Sequence, residues 1–262
     1  MSSSTEHEVA KPVSAKGALP EGAQNEAEAA EKVRDMFDSI APSYDMLNHL
    51  LSGSMDRVWW WRAAKTFDYV LKQPDVRVLD LCCGTGDMTL ALLKYRPKGG
   101  EKVIALDFSQ QMLSRGVEKF RAAGYADAVE PIEADAMQIP LPDRSLDLIV
   151  SAFGFRNLAN YDAALRELHR VLKPGGMLGI LECNKPGGML GKMYLQYFEH
   201  VLPWIGRRVS GDGSAYSYLP ASVARFPQPP DMLNRMEHAH FYSVQWTPYT
   251  FGVAGLYQGI KA

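Results

Sequence analysis

A ten-residue stretch, Val78-Leu79-Asp80-Leu81-Cys82-Cys83-Gly84-Thr85-Gly86-Asp87, constrains the fold of this 262-residue chain more than any other. Leu79 and Leu81 flank Asp80 as on a buried strand, and the chain then turns at Gly84 and Gly86. Met88, Leu90, Ala91, Leu92 and Leu93 follow, apolar enough to pack a helix on a sheet. The spacing predicts a strand, a glycine turn and a helix opening at about Asp87. The two glycines leave backbone bare, so a ligand can approach the amides at the start of that helix.

The next strand, Lys102–Asp107, ends in a carboxylate, where a nucleoside-binding α/β protein holds the two ribose hydroxyls. The glycine pattern departs from a dinucleotide fingerprint: its third glycine would fall at Thr89, and Asp80 stands just ahead of the turn. An anion there is poorly placed beside a pyrophosphate and well placed beside an amine, and Asp80 with Asp87 suits a sulfonium amino acid. With Asp107 included, the sequence resembles the class I S-adenosylmethionine-dependent methyltransferases. That resemblance implies an α/β, Rossmann-like fold, a doubly wound, mostly parallel seven-stranded sheet with an antiparallel last strand and a helical cap. It implies S-adenosyl-L-methionine as cofactor, with S-adenosyl-L-homocysteine as product.

The rest of the chain sets bounds. A net charge of −2 leaves no basic surface for nucleic acid. Cys82, Cys83 and Cys183 make neither a disulfide framework nor a zinc spacing, and no metal-ligating cluster is apparent. They read as small apolar fillers in a reducing compartment. With no apolar run of membrane-spanning length and no signal peptide, the expectation is a cytoplasmic protein. Peripheral contact with the inner face of the cytoplasmic membrane, and a homodimer, stay open.

Residues 1–24, rich in Ser, Ala, Gly, Pro and Glu, are expected to be a disordered tail. Residues 25–74 read as a helical cap, and 75–262 as the catalytic domain with a cap insertion at about 187–230. A helix from Asn25 carries Val33, Met36, Phe37 and Ile40 at helical spacing and ends at Pro42. Trp59, Trp60 and Trp61 cannot all face one way on a helix. At least one is expected to reach a pocket, a cap or a lipid surface.

Tyr44-Asp45, Asn48, Ser52 and Trp59 resemble the first signature of the ubiquinone and menaquinone biosynthesis C-methyltransferases. That family usually carries His where this chain has Asp56, and often Asp where it has His49. The two are expected to form a reciprocal polar pair on one side of a helix, although Gly53 argues against continuity.

Further on, Ser109 caps a helix, and a strand over 128–132 leads to Asp135-Ala136. In the resembled fold that pair lies along the adenine, Asp135 accepting from the exocyclic amine and Ala136 giving a backbone amide. The fourth strand, Leu148–Ala152, puts Ser151 over the ligand crevice. Phe153-Gly154-Phe155-Arg156-Asn157 follows and matches the quinone family. A guanidinium at the crevice mouth needs an acid or an oxyanion to meet, and a structural ion pair to Asp45 or Glu182 is the plainer alternative. Lys173-Pro174-Gly175-Gly176 stops a helix over 161–172 and turns into a fifth strand reaching Glu182, with Asn184 in place of the family's usual Ser. An apolar helix over 189–205, a helix over 231–239 and strands over 242–246 and 251–257 complete the reading.

The resemblance implies transfer of a methyl group to a ring carbon of a polyprenylated quinol, demethylmenaquinol first among them. It assigns Thr85, Asp107, Asp135, Ala136, Ser151 and Asp80 to the cofactor, with Gly84 and Gly86 shaping its turn. Arg156, a poor base, would steady a phenolate, and Asn157 would orient the second ring oxygen. Asp45, His49 and Tyr44 are the candidate proton acceptors, unranked. The alternatives are a ubiquinone-pathway benzoquinol or another phenolic lipid as acceptor, or a non-catalytic scaffold in a quinone-synthesis assembly.

Overall fold

Strands β1 (Val78–Leu81) and β2 (Val103–Asp107) are buried at every position. Parallel strands covered by helices on both faces read as apolar runs, and these do except at Asp80 and Asp107. The computed structural model describes residues 16–186 and 214–262. Its strands β3 (Val129–Glu133), β4 (Leu146–Ala152), β5 (Leu172–Cys183), β6 (Phe241–Tyr249) and β7 (Ala254–Lys261) complete one seven-stranded sheet. Its order is β3-β2-β1-β4-β5-β7-β6. Strands β1 to β5 pair in parallel, and β7 runs antiparallel to both of its neighbours. The order reverses between β1 and β4, which opens a crevice beyond their carboxyl ends.

Alternate side chains feed two cores. On one face Val78, Val103, Ala105, Leu148 and Val150 pack with Trp59, Trp60, Phe67 and Leu92. On the other Leu79, Leu81, Ile104 and Ile149 pack with Tyr161, Leu165 and Leu168 of the helix Tyr161–Val171. Each such fully buried side chain contributes about 1.5–3 kcal/mol, so the crevice stands on a stiff support.

Helices α1 (Glu26–Ile40), α2 (Tyr44–Ser52) and α3 (Asp56–Thr66) form the cap. Asn25 caps α1 by accepting from the Glu28 amide. Pro42 sits in a 3-10 turn that re-aims the chain into α2. Gly53 and Ser54, both at positive φ, then separate α2 from α3, so the continuous helix does not form. In α3 Trp59 and Trp60 are 5% and 8% exposed while Trp61 is 49% exposed.

Two expectations shift. The tail does not extend through residue 24: the Ala18 amide donates to Leu158 O and the Tyr161 amide to Lys16 O, both at 2.8 Å, seating this stretch on the domain. At the carboxyl end, Thr250 and Phe251 take left-handed backbone, so 250–252 is a turn and β7 begins at Ala254. The expected helix over 189–205 lies outside the described residues. Among the described residues, no helix is long and apolar enough to cross a membrane.

Candidate active site

The crevice turns are built under strain and fit each other closely. Cys82, just past β1, and Phe153, just past β4, hold left-handed backbone at φ 54° and 60°. Such conformations cost on the order of 1–3 kcal/mol each and persist where the surroundings impose them. A Cβ at Gly154 would lie 2.3 Å from the Cys82 Cβ, so only glycine lets the two turns close up. Gly86, at φ 85°, is pinned similarly: a Cβ there would lie 2.3 Å from the Phe120 ring.

Between these turns and the cap lies a cavity. Gly84, Asp107, Asp135 and Ala136 line it from the sheet, and Ala30, Arg34, Phe37 and Tyr44 close it from the cap. Phe153 and Asn157 complete the wall beyond β4.

Asp107 is 5% exposed. Its Oδ2 accepts from the Gly84 amide at 2.8 Å and its Oδ1 from the Ser109 amide at 3.0 Å. Burial nevertheless pushes its carboxyl up to about 6, against those bonds. Asp80 lies deeper, with one oxygen accepting from Thr89 Oγ1 at 2.5 Å and the other, Oδ1, without a partner. Burial raises it to about 7. Ser151 is likewise fully buried, its hydroxyl unpartnered. Asp135 is exposed, and its Oδ1 accepts from the Met137 amide at 2.8 Å. Asp80, Thr85, Gly86 and Ser151 do not line the cavity themselves; they stand behind its wall.

The cap is latched to the turn by charge. Thr85 Oγ1 donates to Asp45 Oδ1 at 2.5 Å, and Lys119 Nζ meets Asp45 Oδ2 at 2.6 Å and Asp87 Oδ1 at 3.0 Å. Both Asp45 oxygens are therefore engaged. Burial raises the Asp87 carboxyl, and the Lys119 ammonium works against that rise. His49 Nδ1 and Asp56 Oδ2 meet at 2.7 Å across the α2–α3 turn, forming the expected pair without helix continuity.

Arg156 takes the plainer of its two readings. Its guanidinium donates to Glu182 Oε2 at 3.0 Å and to the Phe153 carbonyl, and the Arg156 amide donates to Glu182 Oε1 at 2.9 Å. Burial opposes the charge, but Glu182 more than restores it, so the group stays protonated. Asn157 Oδ1 accepts from the Tyr218 hydroxyl at 3.1 Å. Burial lifts that phenol to about 12, which keeps it a donor.

The structure thus brings Gly84, Asp107, Asp135, Ala136, Tyr44 and Asn157 to one cavity, ties Asp45 and Arg156 into ion pairs, and hydrogen-bonds His49 to Asp56. Sequence reasoning missed Lys119, Arg34 and Tyr218. No motif marks a lysine in the last turn of the helix Gln110–Ala122. The observations fit the expected cofactor: buried acids, two unpartnered polar atoms behind a glycine turn, and an exposed Asp135 beside a buried Ala136 at the far end.

Comparison with known proteins agrees. Residues 25–261 match the model of the ubiE/COQ5 methyltransferase family. The chain is 46% identical to the demethylmenaquinone methyltransferase of Thermus thermophilus over 225 residues, covering 86% of this chain and 99% of that one. It is 40% identical to the ubiquinone/menaquinone biosynthesis C-methyltransferase UbiE of Cupriavidus necator, covering 90% of this chain and 95% of that one. In fold it is similar to a solved S-adenosylmethionine-dependent methyltransferase of Thermotoga maritima, a possible histamine N-methyltransferase. There the TM-score is 0.61 at 18% identity, with 88% of this chain and all of that one covered. With its fold, crevice and sequence in agreement, the chain belongs to the ubiE/COQ5 methyltransferase family.

Proposed function

We propose that this S-adenosylmethionine-dependent C-methyltransferase of quinone biosynthesis acts on a polyprenylated quinol, converting demethylmenaquinol to menaquinol. The observation that carries the reading is the two-sided cavity. Acids and bare backbone form one wall, and the facing wall includes the aromatic and amide side chains of Phe37, Tyr44, Phe153 and Asn157.

Asp107 would hold the cofactor's ribose and Asp135 with Ala136 its adenine, while Asp80 supplies negative charge beneath its amine. When bound, the cofactor supplies an electrophilic methyl group on a sulfonium. A ring carbon becomes nucleophilic once a hydroxyl proton leaves, and the chain's task is to favour that loss and to aim the ring. Asn157, steadied by Tyr218, can bond one ring oxygen, and Tyr44 and Phe153 can flank the ring. Arg156 lies outside the cavity lining with its charge matched by Glu182, and its part is to hold the Phe153 carbonyl and so the turn that carries Phe153 and Asn157.

Asp45 is spoken for by Lys119 and Thr85. His49 keeps its place as a candidate base: Asp56 can fix its Nδ1 proton, and Nε2, 3.5 Å from an exposed Arg57 guanidinium nitrogen, can accept another once that contact gives way. It stands outside the cavity lining, so its part is to receive the proton through water. A membrane-borne tail on the acceptor requires the protein to visit a bilayer from the cytoplasmic side.

Transfer of labelled methyl from S-adenosylmethionine to short-tailed demethylmenaquinol, with the matching benzoquinol alongside, tests the reading. Labelling of the naphthoquinol alone supports it as stated, and labelling of both widens the acceptor class. Labelling of neither, with the cofactor bound, overturns it in favour of another acceptor or a scaffold.

A further inference from the structure

The three consecutive tryptophans are divided by α3. Asp56, Trp59, Trp60, Ala63 and Ala64 are buried on one arc of the helix. Arg57, Val58, Trp61, Arg62 and Lys65 are exposed on the other. At 100° per residue those positions separate cleanly, so the exposed arc is a continuous face rather than scattered side chains. It is chemically uniform: Trp61 is 49% and Val58 42% exposed, three cations flank them, and the helix's one acid, Asp56, points inward. Lys65 Nζ lies 4.9 Å from the centre of the Trp61 ring, so cation and indole share one surface.

The same helix touches the crevice from behind. The Trp59 ring packs 5.8 Å from that of Phe153, which lines the cavity. The Trp59 indole also donates to Thr250 Oγ1 at 2.8 Å, anchoring the turn that carries Phe251, 82% exposed. A single helix therefore joins the cavity wall to an outward face that is aromatic, apolar and cationic.

We propose that this outward face of α3 docks the protein on an anionic lipid surface. Charge complementarity selects that occupant: the chain is net negative, yet this face carries Arg57, Arg62 and Lys65 with no exposed acid of the helix beside them. Half-exposed indoles and long cationic stems are the groups that settle at the headgroup level. The inference rests on the quinol reading for its purpose, since a bilayer is where a polyprenylated acceptor resides.

Co-flotation with phosphatidylcholine vesicles, with and without phosphatidylglycerol, tests it. The wild type should partition onto the anionic vesicles and leave them as salt rises. Arg62→Gln with Lys65→Gln should weaken partition roughly 25-fold, at about five-fold per charge, and flatten the salt dependence. Trp61→Ser should weaken it roughly ten-fold at any salt. Arg62 also stacks 4.1 Å from the centre of the buried Tyr249 ring, so a small fall in melting temperature is expected of the double variant. Trp61→Ser should melt as the wild type, and all should match it in methylating a water-soluble short-tailed quinol. Equal partition by wild type and variants overturns the proposal. So does a Trp61-dependent dimer in sedimentation, which would assign the face to a second copy. If vesicle binding behaves as stated but no quinol is methylated, the acceptor reading fails and the docking surface stands.

Discussion

The two walls of the cavity are built differently. The sheet wall holds its acids by burial and backbone amides: Asp107 between the Gly84 and Ser109 amides, Asp80 beneath the turn. The cap wall holds its polar groups by one another, Asp45 on Lys119 and His49 on Asp56, with side chains 25% to 38% exposed except for Asp56. A charge held by the core cannot be changed without disturbing the fold. One held by a partner at the rim can be changed at the cost of position alone. On the proposed function, the cofactor side is therefore fixed by folding, and the acceptor side is adjustable.

The sharpest way to break this contrast is at Glu182, wholly buried and bonded to both the guanidinium and the amide of Arg156. Glu182→Ala should cost about 3–5 kcal/mol, because it strands a buried guanidinium. The melting temperature should fall by roughly 10 °C. Arg156→Met with Glu182→Leu should lose much less stability while still losing activity. A single-variant loss below about 1 kcal/mol would place this pair with the rim charges and undo the distinction.

Asp107→Ala should weaken S-adenosylmethionine binding about 100-fold, the loss expected for a charged hydrogen-bond acceptor in a buried site. The pH dependence has two opposed parts. For binding, the Asp107 carboxylate is needed as an acceptor, so affinity should hold at neutral pH and fall as pH drops through about 6. For stability of the ligand-free protein, the raised values of Asp107 and Asp80 mean that the fold favours their protonated forms. Their stabilising contribution is full below the ordinary value of 3.8 and is lost as pH rises through about 6 and about 7. Calorimetric titration and urea midpoints on the same samples should thus move in opposite directions between pH 5 and 8 (about the range those groups span). Parallel trends would mean that the acids are set by something other than burial.

What the sequence disclosed follows the same division. Asp80, Gly84, Gly86 and Asp107 were legible because core-held sites leave local marks, an apolar strand, a glycine turn, a carboxylate at a strand end. The antiparallel β7 and the crevice at the β1–β4 reversal were expected for the same reason. Lys119 was invisible because its partners come from distant helices and it belongs to no local pattern. Arg156 was legible as a residue but not as a role: the sequence offered Asp45 and Glu182 equally, and only packing delivers Glu182. Gly53 announced the break in the cap helix, while the His49–Asp56 pair was foreseen from residue types seven apart and formed across that break.

At the rim, Lys119→Met removes the ammonium shared by Asp45 and Asp87. Lys119 is itself a quarter exposed, so the stability cost should stay near 1 kcal/mol. The acceptor KM should rise about five- to ten-fold as the cap loses its position, with cofactor affinity little changed. Equal damage to both substrates would show that the latch serves the cofactor wall as well.

The smallest effect is the most informative about the cap. Asp56 opens α3, where the helix dipole suits a carboxylate, and His49 stands in the last turn of α2, where a carboxylate would be disfavoured. His49→Asp alone and Asp56→His alone should each cost about 1 kcal/mol, by setting like groups together. The double exchange restores opposite partners but places both against the helix dipoles. It should therefore recover only about half of the loss, since each dipole term is worth roughly 0.3–1 kcal/mol. Full recovery would mean that the pair alone matters, and no recovery that the two never act together. Activity separates a second role: moving the imidazole to α3 should leave methyl transfer low even where stability returns, because a proton acceptor must keep its place and a structural pair need only keep its sum.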